Sequence, residues 1–180
     1  MTANKYTASL RGRNNRNTGE LFEDIIIRSC KYYCDNGIAD IEKTPEPFKI
    51  TSKASNNGRF TGFFEKQAQP DFKGTLKGGR SIVFDAKATM TDRIPLSALS
   101  DEQKKHLQLH HALGAVSGVM ISYSFNGFYF LCIDTFLNAK TINGHMYWLE
   151  EETQEHGIKL KLSAILDFLN EDVLTLWTKK

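Results

Sequence analysis

Two short alternating segments, Asp71 to Leu76 and Ser81 to Ala88, are joined at Lys77-Gly78-Gly79-Arg80. Apolar and polar residues alternating on either side of a glycine-rich joint predict a β-hairpin. In the second segment, Ile82, Phe84 and Ala86 point to one face and Val83, Asp85 and Lys87 to the other. Asp85 and Lys87 are then neighbours about 7 Å apart on one surface. Where Asp71 falls depends on the loop. A two-residue Gly78-Gly79 loop sets Phe72 opposite Asp85 and turns Asp71 to the wrong face. A three-residue loop, Lys77 to Gly79 with a left-handed glycine, pairs Leu76 with Arg80 and Asp71 with Asp85. We expect the second register, or a bulge with the same effect.

Two carboxylates facing each other across about 5 Å repel. A divalent cation between them removes that cost, and carboxylate oxygens are the ligands Mg²⁺ prefers. Lys87 beside it can help bind a phosphate and orient or deprotonate an attacking water. An Asp-x-Lys string is also common as a plain surface pair. What lifts this one is Asp71, fourteen residues upstream behind Pro70.

A helix is expected from Asn17, with Glu20 completing a capping-box-like signal, to about Asp35, where Asn36-Gly37 stops it. On a wheel of about 100° per residue, Phe22, Ile25, Ile26, Ser29, Cys30 and Tyr33 form the apolar arc. Glu23 falls inside that arc, away from Glu20, Asp24, Arg28 and Lys31. An unpaired carboxylate facing a core needs a cation or hydrogen bonds. Two readings stand: an edge glutamate whose head reaches solvent, or a third carboxylate at the metal site.

The rest of the chain frames these residues. Residues 1–16 read as a flexible basic arm, followed by a single domain over 17–180. Ile38 to Ile41 and Phe48-Lys49-Ile50 are short strands, and Thr51 to Gly62 is an exposed projection. Ser100 with Gln103 caps a helix to about Leu113, stopped by Gly114. Val116 to Tyr123 and Phe128 to Ile133 form a second hairpin turning at Asn126-Gly127. Thr135 to Ala139 is a helical turn, and Ser163 to Trp177 a terminal amphipathic helix. This order predicts an α/β class with a mixed sheet flanked by helices.

The net charge of +2 hides a segregation: residues 49–80 carry seven basic groups against Glu65 and Asp71. With Lys5, Arg11, Arg13 and Arg16 in the arm, this is either a footprint for a polyanion or ordinary solvated charge. A hydrophobic content of 41% fits a folded chain. No apolar run approaches the roughly 18 to 20 residues that span a bilayer, and the N-terminus lacks the apolar core of a signal peptide. Cys30, Cys34 and Cys132 do not make a disulfide framework. A soluble, reduced, cytoplasmic protein is expected. His106, His110 and His111 lack further ligands at recognisable spacing, so no zinc site is assigned.

Pro70-Asp71 and Asp85-Ala86-Lys87 resemble the motif of the PD-(D/E)xK nuclease superfamily. More narrowly, the chain is similar to RecU-type Holliday junction resolvases. The matching runs are Gly19-Glu20-Leu21-Phe22-Glu23, Gly37-Ile38-Ala39, Lys43-Thr44-Pro45-Glu46-Pro47, Gln67-Ala68-Gln69-Pro70-Asp71-Phe72-Lys73-Gly74, Phe84-Asp85-Ala86-Lys87, and Gln103. They cover about Asn17 to Asp134. The resemblance implies a restriction-endonuclease-like fold and a homodimer that cuts two strands of a four-way DNA junction with Mg²⁺, or Mn²⁺ in its place. It makes Asp71, Asp85 and the Ala86 carbonyl metal ligands, with Glu23 supporting the metal or its waters. Lys87 acts on phosphate or water, and Gln103 assists.

The resemblance also implies a stalk, about 51–66 here, that enters the junction. Arg11, Arg13, Arg16, Lys53, Arg59, Lys66 and Lys73 are the expected phosphate contacts. Phe60 and Phe64 are candidates to stack on exposed bases. Phe63 or Phe64 is expected to anchor the projection to the core instead. The chain departs from the family in having Asp85 where Glu is usual, and Gln69-Pro70 where hydroxyl residues precede the first aspartate. Alternatives are a nuclease for another DNA structure and a non-catalytic junction-binding protein.

Overall fold

The computed structural model describes residues 3–45, 47–52, 59–64, 69–161 and 164–170, with side chains from residue 17 onward except that of Phe64. Its first element is helix α1, Ala3–Asp35. The helix ends as expected. Gly37 takes φ 63, its N–H donates to the Cys34 carbonyl at 3.0 Å, and the Ile38 N–H donates to Tyr33 at 2.9 Å. This is the Schellman arrangement that glycine favours.

The start of α1 corrects the sequence reading. Residues 3–16 are helical and continuous with the rest, so Asn17 is not a helix start and no break sets off an arm. The segment holds no proline and contains Ala, Leu, Lys and Arg, which favour helix, so a polar residue at 17 does not stop it.

Strands and helices follow in the order β1 (Ala39–Lys43), β2 (Phe48–Ile50), β3 (Gly62–Phe64), β4 (Phe72–Leu76), β5 (Ser81–Thr89), β6 (Arg93–Pro95), α2 (Asp101–Ala112), β7 (Val116–Tyr123), β8 (Gly127–Cys132), α3 (Ile133–Leu137), α4 (Ala139–Asn143), β9 (Tyr147–Leu149), β10 (Leu160–Lys161) and β11 (Ile165–Leu166). Five strands form one sheet in the order β1-β4-β5-β7-β8. Only β5 and β7 run parallel; the other neighbours are antiparallel. The sheet is therefore mixed, as expected.

Each face carries a core. Phe22, Ile26, Cys30 and Tyr33 of α1 pack on Phe72, Ile82, Phe84 and Met120. On the other face, Leu107 of α2 and Phe136 of α3 pack on Val83, Val119 and Ile121. Strand alternation thus puts Asp85 and Lys87 on the α2 face, beside Val83.

The β4–β5 hairpin has the three-residue loop. Phe72 pairs with Phe84, Lys73 with Val83, Gly74 with Ile82 and Thr75 with Ser81. The Leu76 N–H donates to the Arg80 carbonyl at 2.8 Å, closing the loop. Gly78 and Gly79 hold φ of 95 and 92, a conformation side-chain-bearing residues avoid. One step beyond Phe72, this register sets Asp71 opposite Asp85.

The projection begins as a two-stranded ribbon of β2 and β3. Phe48, Ile50 and Phe60 are exposed on it, and Phe63 is 51% exposed, so Phe63 does not anchor the ribbon to the core. Lys53, Lys66 and most of the stalk tip lie outside the described residues, as do the side chains of Arg11, Arg13, Arg16 and Phe64.

Two further expectations are corrected. The β7–β8 turn is built on Ser124 and Phe125, which take φ of 50 and 56, two residues earlier than Asn126-Gly127. Gly127 is needed for a different reason: a Cβ there would land on the Tyr129 ring and the Glu150 carboxylate. The expected helix from Ser163 also fails within the described residues, where Ile165–Leu166 is strand β11. The Leu166 N–H donates to Ser29 Oγ at 2.9 Å and the Tyr33 hydroxyl donates to its carbonyl at 2.8 Å. Bonds to α1, distant in sequence, override the local helical pattern there.

Candidate active site

Asp85 lies mid-strand in β5 with its side chain 0% exposed. Gln103 Nε2, from the first turn of α2, donates to Asp85 Oδ1 at 2.7 Å. Asp85 Oδ2 is buried and has no hydrogen-bond partner. Burial first, and then the charge of Asp71, pushes the Asp85 carboxyl up to about 7, against the opposing pull of Lys87. A buried carboxylate oxygen without a partner is costly, and its usual explanation is an ion or a function.

Asp71 stands across the hairpin. Its Oδ2 accepts the Ala86 backbone N–H at 2.9 Å, and its own carbonyl accepts the Thr44 N–H at 2.8 Å. Lys87 Nζ lies 3.6 Å from Asp71 Oδ2 and 3.6 Å from Asp85 Oδ1. Lys87 is only 20% exposed, so its ammonium faces the two carboxylates rather than open solvent. Two aspartates, one lysine and a glutamine amide are thus brought together from the residue before β4, from β5 and from α2. Lys73 is exposed and two residues from Asp71 on the same strand face.

Glu23 rises from α1 and accepts from Lys43 Nζ at 2.5 Å. Among the described residues, no three Asp, Glu, His or Cys side chains form a set that could hold a metal ion. The donor set at the hairpin is two carboxylates with the Ala86 carbonyl in the adjacent backbone, and the orphaned Asp85 Oδ2 fits a hard divalent cation.

Sequence reasoning missed two contributors. Lys43, the partner of Glu23, ends a strand whose extent was blurred by the prolines after it. The Ala86 N–H, which holds Asp71, is a backbone group that no motif marks. The capping box of α2 was legible, but not that its glutamine reaches Asp85. His111 is paired with Asp134 at 3.3 Å and has Cys132 Sγ at 3.9 Å from its other ring nitrogen. These groups sit on opposite sides of one ring and do not converge on a point.

Among the described residues, no helix is long and apolar enough to cross a membrane. The family model of Recombination protein U matches residues 17–171. The Holliday junction resolvase RecU of Bacillus subtilis (strain 168) is 31% identical over 164 residues, covering 86% of this chain and 79% of that protein. Its counterpart from Bacillus licheniformis is 31% identical over 163 residues, covering 85% and 81%. The solved Holliday junction resolvase Hjc of Archaeoglobus fulgidus aligns with a TM-score of 0.42 at 13% identity, over 64% of this chain and 78% of its own. The family match spans α1 from Asn17, the hairpin with Asp71, Asp85 and Lys87, and the glutamine of α2, and the chain belongs to the Recombination protein U family.

Proposed function

We propose that this protein is a structure-selective endonuclease that resolves four-way DNA junctions by Mg²⁺-dependent phosphodiester hydrolysis, acting as a homodimer. One observation carries the reading: two aspartates oppose each other across a hairpin, one with a buried oxygen lacking any partner, and share a lysine. Membership of a family whose relatives carry the name Holliday junction resolvase supplies the substrate.

Asp71, Asp85 and the Ala86 carbonyl would hold the cation, Mg²⁺ or Mn²⁺. When bound, such an ion makes water a nucleophile near neutral pH and stabilises charge on phosphate oxygens. The chain's own groups do the rest. Lys87, held between the two carboxylates, offers its ammonium to the scissile phosphate and orients the attacking water. Gln103 occupies one oxygen of Asp85, so the other is aimed away from it. Glu23 is included as a supporting carboxylate, with Lys43 as its partner.

DNA contact is proposed for the ribbon and the adjoining basic groups. Arg59 and Lys73 are exposed beside it or beside the site, and Arg11, Arg13, Arg16, Lys53 and Lys66 extend the same charge. Phe60, 52% exposed, offers a stacking surface for an unpaired base, and Phe64 is proposed to do the same. The test is a labelled four-way junction incubated with and without Mg²⁺, beside a linear duplex of the same sequence. Symmetric nicks in the junction alone, only with the ion, are expected. Equal cutting of the duplex would assign another DNA structure, and no cutting with Mg²⁺ or Mn²⁺ despite tight binding would make it a junction-binding protein.

A further inference from the structure

The amide of Gln103 is held at both ends. Its Oε1 accepts the Ser100 backbone N–H at 3.0 Å, and its Nε2 donates to Asp85 Oδ1 at 2.7 Å. An amide has one accepting end and one donating end. Once a backbone N–H has claimed the oxygen, only the NH₂ can face Asp85. Ser100 also accepts the Gln103 backbone N–H on its Oγ at 3.2 Å, completing the capping box of α2. Two bonds therefore join Ser100 and Gln103, and they do different things. The Oγ bond seats the first turn of the helix, while the bond from the Ser100 N–H sets the polarity of the amide.

We propose that the backbone N–H of Ser100 is a positioning group for the nuclease site, fixing which end of Gln103 meets Asp85. The inference rests on the metal-site reading given above. Without that N–H the amide is free to turn over, bringing a carbonyl oxygen against a carboxylate or swinging away. Asp85 Oδ1 then loses its donor, and the unpartnered Oδ2 is no longer held in its present direction. A capping box whose glutamine is fully employed within the helix end would have no such consequence. Here the glutamine has a second bond, to a fully buried acid on a neighbouring strand.

The backbone at Ser100 allows the two bonds to be separated by substitution. Its φ of −66 and ψ of 161 are those of proline, and Leu99 before it has the extended φ −97 and ψ 134 that proline requires of its predecessor. Ser100→Pro removes both the N–H and the Oγ. Ser100→Ala removes the Oγ and keeps the N–H. Both lose the helix cap; only proline loses the amide's anchor.

The readout is Mn²⁺ binding to the full chain by titration calorimetry without DNA, with thermal melts in EDTA as the measure of folding. Expected are roughly tenfold weaker Mn²⁺ binding for Ser100→Pro, in the range for loss of a partner behind a metal ligand, and near wild-type binding for Ser100→Ala. Should Ser100→Pro not fold, Gln103→Met keeps the Oγ bond, lacks both amide ends, and is expected to show the same tenfold loss. Equal losses in Ser100→Ala and Ser100→Pro would assign the effect to the helix cap and overturn the proposal. Undiminished Mn²⁺ binding by a folded Ser100→Pro or by Gln103→Met would do the same. A wild-type chain that binds no Mn²⁺ would instead overturn the metal-site reading, and this inference with it.

Discussion

The backbone N–H of Ala86 donates to the Asp71 carboxylate at 2.9 Å. The bond reaches from the middle of β5 to the residue that precedes β4, so one strand fixes the carboxylate supplied by its partner. Asp71 is thereby oriented by the same segment that carries Asp85 and Lys87. A site held this way is formed by folding of the hairpin itself, in advance of any ligand.

Lys87→Met tests the shared ammonium. Single-turnover junction cleavage is expected to fall by roughly 10²- to 10⁴-fold, the usual contribution of a group that moves a proton or meets developing charge. Mn²⁺ binding by calorimetry is expected to survive, because the two carboxylates remain. Cleavage at the wild-type rate would remove Lys87 from the reaction.

Asp85→Asn should make the metal-free protein more stable. It replaces a buried charge having one unpartnered oxygen by a neutral amide of the same shape, worth about 1–2 kcal/mol. For a chain of this size that is about 3–6 °C in Tm. Melts in EDTA should show the rise, and melts with Mn²⁺ should show no further gain, whereas wild type gains. A lower Tm in EDTA would mean that Asp85 is a structural acid.

The turn glycines set the register on which the site depends. Gly79→Val at φ 92 should cost roughly 1–2 kcal/mol from left-handed strain, seen as a Tm lower by a few degrees, with cleavage per folded molecule retained. Deleting Gly79 shortens the loop to two residues and turns Asp71 off the Asp85 face. Cleavage should then vanish even where circular dichroism shows a folded protein. Full activity in the deletion would contradict the pairing of Asp71 with Asp85.

Much of the hairpin is legible in the amino-acid sequence because turn chemistry is local. Gly78-Gly79 supplies the two positive-φ positions, and the alternation from Ser81 to Ala88 leaves one register that joins Asp71 to Asp85. Gly37 and the Ser100–Gln103 cap are legible for the same reason. What fails is governed by partners distant in sequence. Leu166 is strand rather than helix because Ser29 and Tyr33 take its backbone bonds. Ser124 and Phe125 carry the left-handed backbone of the turn, while Gly127 packs closely against Tyr129 and Glu150. Glu23 is unusual on its helix face, as the wheel indicates, but its partner Lys43 lies on a strand that the wheel does not contain.

Glu23→Gln gauges that supporting role. Junction cleavage should fall by roughly 10- to 100-fold, as for a partner behind a metal ligand, and by less than for Asp71→Asn. Lys43→Met should produce a comparable loss if the two act as a unit. A loss in neither variant would confine the site to the hairpin and α2.

The most direct measurement compares wild type and Asp71→Asn on a labelled four-way junction, scoring cleavage with Mg²⁺ and binding by gel shift in EDTA. The account predicts that the variant binds the junction as wild type does and cuts it at least roughly 10³-fold more slowly, as expected for loss of a metal ligand at the reacting centre. Cutting by Asp71→Asn at the wild-type rate would contradict it.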